Sequence, residues 1–507
     1  MSGRFLGAVG QPSGTSTSFP RTWPVSLIQC ASAARANGNV YTWITSLPSA
    51  SSAAAGGNGA APPTTSGDRF PDVHHRNRGG ERDIPAPVPH SPNPAAGPGS
   101  GPGRCFNDPM STIDFARSER SRLGLEWEIA CVDRRSGELS PAAPDLLDRL
   151  GPATEFPHVT GELLTNTVEI VSAPHRRAAD AVADLTRMVE QVHRLAEPMG
   201  VQLMSSGTHP FSQWFQQQVT PGNDRYATLI DRTRWWGRQM MIWGVHVHVA
   251  VDDRDKVLPI IDGLLTYLPH FQALSASSPF WAGETTGYAS NRALMFQQLP
   301  TAGLPPQLSR WSEYEALVDD LTHTGVIDVL SELRWDIRPS PRWGTIEVRT
   351  FDGISTANEI GAVAALTQCL VEHFSRELDA GRGIPALQPW FVRENKWRTA
   401  RYGMDVIIIR DPAGDERLVT DDLRALVPAL EPVAADLGCT ADLMDVLEIV
   451  DHGASYQRQL RVAQATGGSL KAVVSSLVRE LLEGRPTRSR PAPATSHGTT
   501  DQSCQSN

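Results

Sequence analysis

The segment RWGTIEVRTFDG at 342–353 sets a carboxylate, Glu347, two positions from a guanidinium, Arg349. On an extended chain side chains alternate between faces. Thr345, Glu347, Arg349 and Phe351 would then share one side, and Ile346, Val348 and Thr350 the other. Three further segments repeat the pattern of titratable groups in front and apolar groups behind. LGLEWEIACVD at 123–133 pairs Glu126 and Glu128 against Leu125, Trp127 and Ile129. WGVHVHVAVDD at 243–253 sets His246 and His248 against Val245, Val247 and Val249. GELLTNTVEIVSAP at 161–174 carries Glu162 and Glu169 with Asn166 between them, a separation that needs a bulge or a turn.

Taken singly, each motif also reads as a solvated strand face, a satisfied histidine pair or a surface ion pair of small energetic weight. Gathered on one sheet they have a different consequence. Carboxylates buried without partners are costly, and like charges on one face repel unless cations sit among them. Oxygen donors with a histidine at the rim suit hard divalent ions, Mg²⁺ and also Mn²⁺. The only lysines are Lys256, Lys396 and Lys471, so an anion held by side chains must be held mostly by arginine or by metal. Arginine offers a fixed fork that matches phosphate and carboxylate oxygens. The chain has no G-x-x-x-x-G-K-[ST] and no G-x-G-x-x-G after a strand, which excludes a P-loop and leaves a dinucleotide fold unsupported. A nucleotide held through metal-bridged phosphates, with Arg349 meeting the transferred charge, provides the main parts of phosphoryl transfer.

These side chains need strands to carry them, and the sequence predicts strands at 123–132, 163–171, 201–206, 243–251 and 344–351. A helix is expected from Arg176 to Met199, where Val182, Leu185, Val189, Val192 and Leu195 recur at helical spacing. Thr356 and Glu359 form a capping-box pattern for a helix running to Gly381, and Thr420 to Gly484 reads as mostly helical. Strands scattered among helices without βα alternation point to an α+β fold with an antiparallel or mixed sheet.

Residues 1–109 are rich in Gly, Pro, Ser, Ala and Asn and lack a sustained period, so a disordered extension is expected, with Met110 as a candidate true start. A single folded domain is expected over 110–485, and a disordered tail over 486–507. The net charge of −10 argues against nucleic acid as the main partner. The six cysteines are scattered, without C-x-x-C, which fits reduced thiols in a cytoplasmic protein better than a disulfide framework or a zinc site. No apolar run reaches the roughly 18–20 residues a membrane helix needs.

In order along the chain, GLEWEI, GTHPF (207–211), WGVHVHV, SPFWAGETTGYASNR (278–292), PTAGLPP (300–306), WDIRPSPRWGTIEVRTFD (335–352) and ENKWRTARYGMD (394–405) resemble the blocks of glutamate–cysteine ligase family 2. The resemblance covers about Ser121 to Gly484. It implies a glutamine synthetase-like fold, in which a curved antiparallel half-barrel sheet carries helices on its convex side. It implies an ATP-dependent, ADP-forming carboxylate–amine ligase with ATP, two or three Mg²⁺ ions, glutamate and an amine such as cysteine as its small-molecule partners. Carried over by motif, Glu126, Glu128, Glu162, Glu169, His248 and Glu347 become metal ligands, and His246 a supporting residue. Arg349 and Glu347 become catalytic, and Arg338 a second phosphate contact. Asn166, His209, Arg234, Arg292 and the 394–402 block would line substrate pockets. His209 also reads as a loop anchor. Loops at 278–306 would form a lid, and HGASYQRQ at 452–459 either part of it or an ordinary helix connection.

Rival readings remain at this point. His246 and His248 could hold a catalytic Zn²⁺ of a hydrolase. The same phosphorylation step could serve a guanidino kinase, another amine acceptor, or be lost in a silent paralog.

Overall fold

The structure, a computed structural model, describes residues 113–152 and 156–487. The expectations for residues 1–109, for Met110 and for the tail beyond 487 lie outside the described residues. Seven strands form the main sheet: β1 (Leu123–Asp133), β2 (His158–Gly161), β3 (Thr167–Val171), β4 (Val201–Met204), β5 (Gly244–Ala250), β6 (Ile337–Ser340) and β7 (Thr345–Asp352). Their order is β2-β3-β1-β5-β7-β6, with β4 pairing the far half of β1, and every pair is antiparallel. The sheet is open, as expected for the fold.

Two strands of the main sheet escaped the sequence reading. The predicted strand 163–171 is the second half of a hairpin: β2 and β3 pair Thr160 with Glu169, and Glu162 falls in the connection between them. That connection resolves the odd spacing of Glu162 and Glu169. The short β6 contains Pro339, which cannot donate a ladder hydrogen bond and is tolerated because β6 is an edge strand.

The apolar sides of β1, β5 and β7 meet helices α1 (Ala178–Ala196), α2 (Val257–Ser275) and α3 (Ala357–Asp379). Leu125, Trp127, Ile129, Val245, Val247, Val249, Ile346 and Val348 pack with Leu185, Val189, Phe271 and Leu366 in one core. Each such side chain contributes about 1.5–3 kcal/mol on burial. Thr356 caps α3 by accepting from the Glu359 N–H at 3.3 Å, as the capping pattern predicts. Helices α4 (Pro389–Tyr402), α5 (Val419–Leu437), α6 (Thr440–His452), α7 (Ser455–Ala465) and α8 (Leu470–Glu483) complete the C-terminal third. Gly453 and Ala454 simply join α6 to α7, so HGASYQRQ is a helix connection. No described helix is long and apolar enough to cross a membrane.

The strand β7 departs from strict alternation. Val245 pairs with Phe351 and Val247 with Val348, so one residue of β5 faces two of β7. This bulge at Arg349–Thr350 shifts the phase of everything after it. Phe351, expected beside Glu347 and Arg349, turns to the apolar side and meets the Phe271 ring at 5.3 Å.

Candidate active site

Strand register brings the titratable residues together. Glu126 lies opposite His246, Glu128 opposite Glu169, His248 opposite Glu347, and Arg338 opposite Glu347. Two groups result, and within each the candidate ligand atoms lie within 4.8 Å of one another: Glu126, His246 and Glu347 in one, Glu128, Glu162 and Glu169 in the other.

In the first group, Glu126 meets Nδ1 of His246 at 2.6 Å. Its two histidine contacts hold its carboxyl well below the usual range against the opposing effect of burial. Burial and the neighbouring Arg349 push His246 down to about 4, so the neutral ring donates Nδ1–H to the Glu126 carboxylate. Nδ1 of His248 is 3.0 Å from the Thr345 hydroxyl. Its Nε2 lies 3.2 Å from Glu126 and 3.9 Å from Glu347, without the alignment of a hydrogen bond. His246 thus belongs to the group itself, nearer its centre than its expected supporting role.

Glu347 is 1% exposed and accepts a bidentate contact from Arg338 at 2.8 and 3.2 Å, and another from Nη1 of Arg349. Burial opposes its charge, but Arg338 and Arg349 outweigh it and hold the carboxyl far below its ordinary value. Glu347 and Arg349 thus form an ion pair, with the carboxylate buried rather than at the surface.

The second group has the opposite electrostatics. Burial and Glu162 push Glu128 up to about 7, although it accepts from the Gly244 N–H. Burial also raises Glu162, and Glu169 is raised by burial together with Glu126, Glu162 and Glu128. Glu169 has no hydrogen-bond partner among the described residues. Crowded, partly protonated carboxylates with hard oxygen donors and a few imidazole nitrogens are what divalent cations such as Mg²⁺ would relieve, so the donor set fits the metal.

The expected substrate residues divide. Arg292 is at the site: it is 3% exposed, and a Cβ on Gly244 would overlap its Nη2 and lie 2.8 Å from its Cζ. His209 takes the second of its two expected roles. Its Nε2 meets the Gly137 carbonyl at 2.9 Å and its Nδ1 accepts from the N–H of Ser212 at 2.9 Å, so both nitrogens anchor a loop. Asn166 is likewise committed, to Gln217 and Thr167, each at 2.9 Å. Arg234 is 76% exposed and paired with Asp231 at 2.6 Å. In the 394–402 block, Lys396 makes a buried 2.6 Å pair with Asp336. The expected lid at 278–306 is tied down by Asp352, which accepts from Ser278 and Ser290 at 2.7 and 2.8 Å. Asp352 escaped the sequence reading because the bulge hides its phase. Tyr226 escaped too; burial and the carboxylates Glu162, Glu169 and Glu128 raise its hydroxyl pKa, which sets it beside the second group.

Comparison with known proteins gives this arrangement a context. The family described as "Glutamate-cysteine ligase family 2" matches residues 122–476. A protein of Clavibacter michiganensis named "Putative glutamate--cysteine ligase 2" is 65% identical over 372 residues, covering 73% of this chain and 97% of its own. Its namesake from Leifsonia xyli is 59% identical over 377 residues, 74% of this chain and 100% of its own. The fold is shared with the glutamate–cysteine ligase of Francisella tularensis, solved in complex with AMP: TM-score 0.54, 12% identity, 73% of this chain and 90% of that one. A bifunctional glutathione synthetase from Pasteurella multocida gives a TM-score of 0.55 at 14% identity, over 72% of this chain and 52% of that one. With the family matched over most of the chain and relatives matched over nearly their full length, the chain belongs to glutamate–cysteine ligase family 2 and is an enzyme of the carboxylate–amine ligase type.

Proposed function

We propose that the enzyme joins the γ-carboxylate of L-glutamate to the amine of L-cysteine, with ATP first phosphorylating the carboxylate to γ-glutamyl phosphate, and releases γ-glutamylcysteine, ADP and phosphate. The observation that carries this reading is the placement of two carboxylate groups and the Glu347–Arg349–Arg338 cluster on one sheet face. A carboxylate is a poor electrophile, and phosphorylation turns its oxygen into a leaving group. Glu126, Glu128, Glu162, Glu169, His246, His248 and Glu347 would hold two or three Mg²⁺ ions, or Mn²⁺ in their place. Bound there, the cations would neutralise the phosphates and polarise the phosphoryl group.

The chain's own residues supply the rest. Glu347 pins the guanidinium of Arg349, which is thereby preorganised for charge that develops on the transferred phosphoryl group. Arg338, fixed by the same carboxylate, adds a second cation. Glu126 orients His246, which burial and Arg349 keep neutral. Displacement of phosphate by the amine needs water kept from the acyl phosphate, and the 278–306 segment, which Asp352 anchors, would do so. An assay of ADP release with glutamate and a panel of amines tests the reading. Release that requires both substrates, fastest with cysteine, is expected. A faster alternative amine would move the acceptor, phosphoguanidine without an amide would indicate a kinase, and nucleotide-independent hydrolysis would refute the ligase.

A further inference from the structure

Arg292 is a buried guanidinium that forms no ion pair and no side-chain hydrogen bond among the described residues, and its Nε is sealed from solvent. Asp352 and Glu128 offset part of its desolvation without contacting it, and its fork is left for an anion to meet. It lies across Gly244, whose N–H is held by Glu128, and the absence of a side chain at 244 is what makes room for it. Four residues on, in the short helix Asn291–Phe296, Phe296 falls on the same side of the turn. The Cζ of Arg292 is 5.4 Å from the centre of the Phe296 ring. The Cζ of Arg349 is 6.0 Å from that same ring. Arg349 comes from β7, and its Nε is also buried without a partner. One aromatic ring therefore steadies two guanidinia from different elements, each with unused donor capacity. The ring's electron-rich face attracts both cations without consuming an N–H.

We propose that Phe296 is a positioning residue, the common platform for Arg292 and Arg349, and that Arg292 takes a carboxylate of the amino-acid substrate while Arg349 faces the end that is phosphorylated. This rests on the ligase reading for the identity of the substrate. The planar fork of Arg292 accepts a carboxylate or a phosphate, and a dicarboxylic amino acid presents a second carboxylate for it. The subsite should then reject 4-aminobutyrate, which is glutamate without its α-carboxylate.

Calorimetric titration with L-glutamate reads the subsite without turnover, and the ADP assay reads the ligase. Phe296→Leu keeps the apolar volume between Met240 and Leu299 but removes the π face. It should weaken glutamate binding about tenfold, and narrow the preference for glutamate over 4-aminobutyrate by a similar factor. Phe296→Tyr should restore both to within about threefold of wild type on the same grounds. Unchanged glutamate affinity and preference in Phe296→Leu would overturn the proposal, as would wild-type protein that binds no glutamate. A raised KM for ATP with unchanged glutamate binding would also overturn it, by giving Arg292 to phosphate. Glutamate binding that follows the expected series without ADP formation would refute the ligase reading and leave the subsite standing.

Discussion

Glu347→Gln separates the structural and catalytic roles of a single carboxylate. The side chain is 1% exposed, and both oxygens are in use: one meets Nε of Arg338 at 2.8 Å, the other meets Nη2 of Arg338 at 3.2 Å and Nη1 of Arg349. Glutamine preserves the shape but replaces one oxygen with an NH₂. In either orientation of the amide, a donor then faces a guanidinium N–H, and two buried cations lose their counter-charge. Breaking a buried pair from one side costs about 3–5 kcal/mol, and the retained carbonyl puts this case near 3. In a domain of this size that lowers the Tm by roughly 4 °C. Turnover should fall by about 10²–10³, the effect of losing a preorganised electrostatic group, because Arg349 is no longer fixed. Thermal melts and the ADP assay on one preparation give both numbers. A wild-type Tm would refute the ion-pair account. A lowered Tm with wild-type kcat would leave Glu347 a structural residue and refute the catalytic one.

Two further outcomes follow from the same contacts. Glu128 titrates near 7 in the folded chain against about 4.5 for an ordinary carboxyl, so between these values the folded state holds a proton that the unfolded state has released. Stability of chelator-treated protein should therefore fall as pH rises from about 4.5 to about 7. Glu128→Gln should flatten that slope, and Mg²⁺ should recover the loss; a melt series with and without EDTA reads all three. His209→Ala should lower the Tm, with about 2–3 kcal/mol lost as the Gly137 carbonyl and the Ser212 N–H lose their partner. KM for glutamate and ATP should stay within about twofold of wild type on the same argument. A shifted KM at unchanged Tm would return His209 to the substrate contacts.

Much of this site was legible because alternation is a strong signal where one face is buried. Glu126 and Glu128 against Leu125 and Trp127, and His246 and His248 against Val245 and Val247, point as their spacing predicts. What failed was whatever depends on a local break in period or on a distant partner. The bulge in β7 misassigned Phe351 and concealed Asp352. The hairpin turn placed Glu162 outside any strand. The roles of His209 and Asn166 turn on backbone groups and side chains far along the chain, such as Gly137 and Gln217, which no spacing rule reaches. Nor does a sequence window show Arg292 lying over Gly244, although the i, i+4 relation of Arg292 and Phe296 was visible within one helical turn.

The extra residue in β7 gives one strand two frames. Up to Arg349 the chain is read in the frame of the chemistry; from Phe351 it is read in the frame of the scaffold, with Asp352 knotting the serines of the neighbouring segment. Substitutions preserve both frames, and removing a single residue at 349 or 350 would merge them into one regular alternation that still turns Phe351 to the apolar side, at the cost of the bulge that aims Arg349 or of Arg349 itself. A library of single-residue deletions across 345–352 should therefore keep folding at 349 and 350 while losing turnover there, and should lose folding most sharply at 347, 348 and 351, where a deletion carries Arg349 or Asp352 to the apolar side.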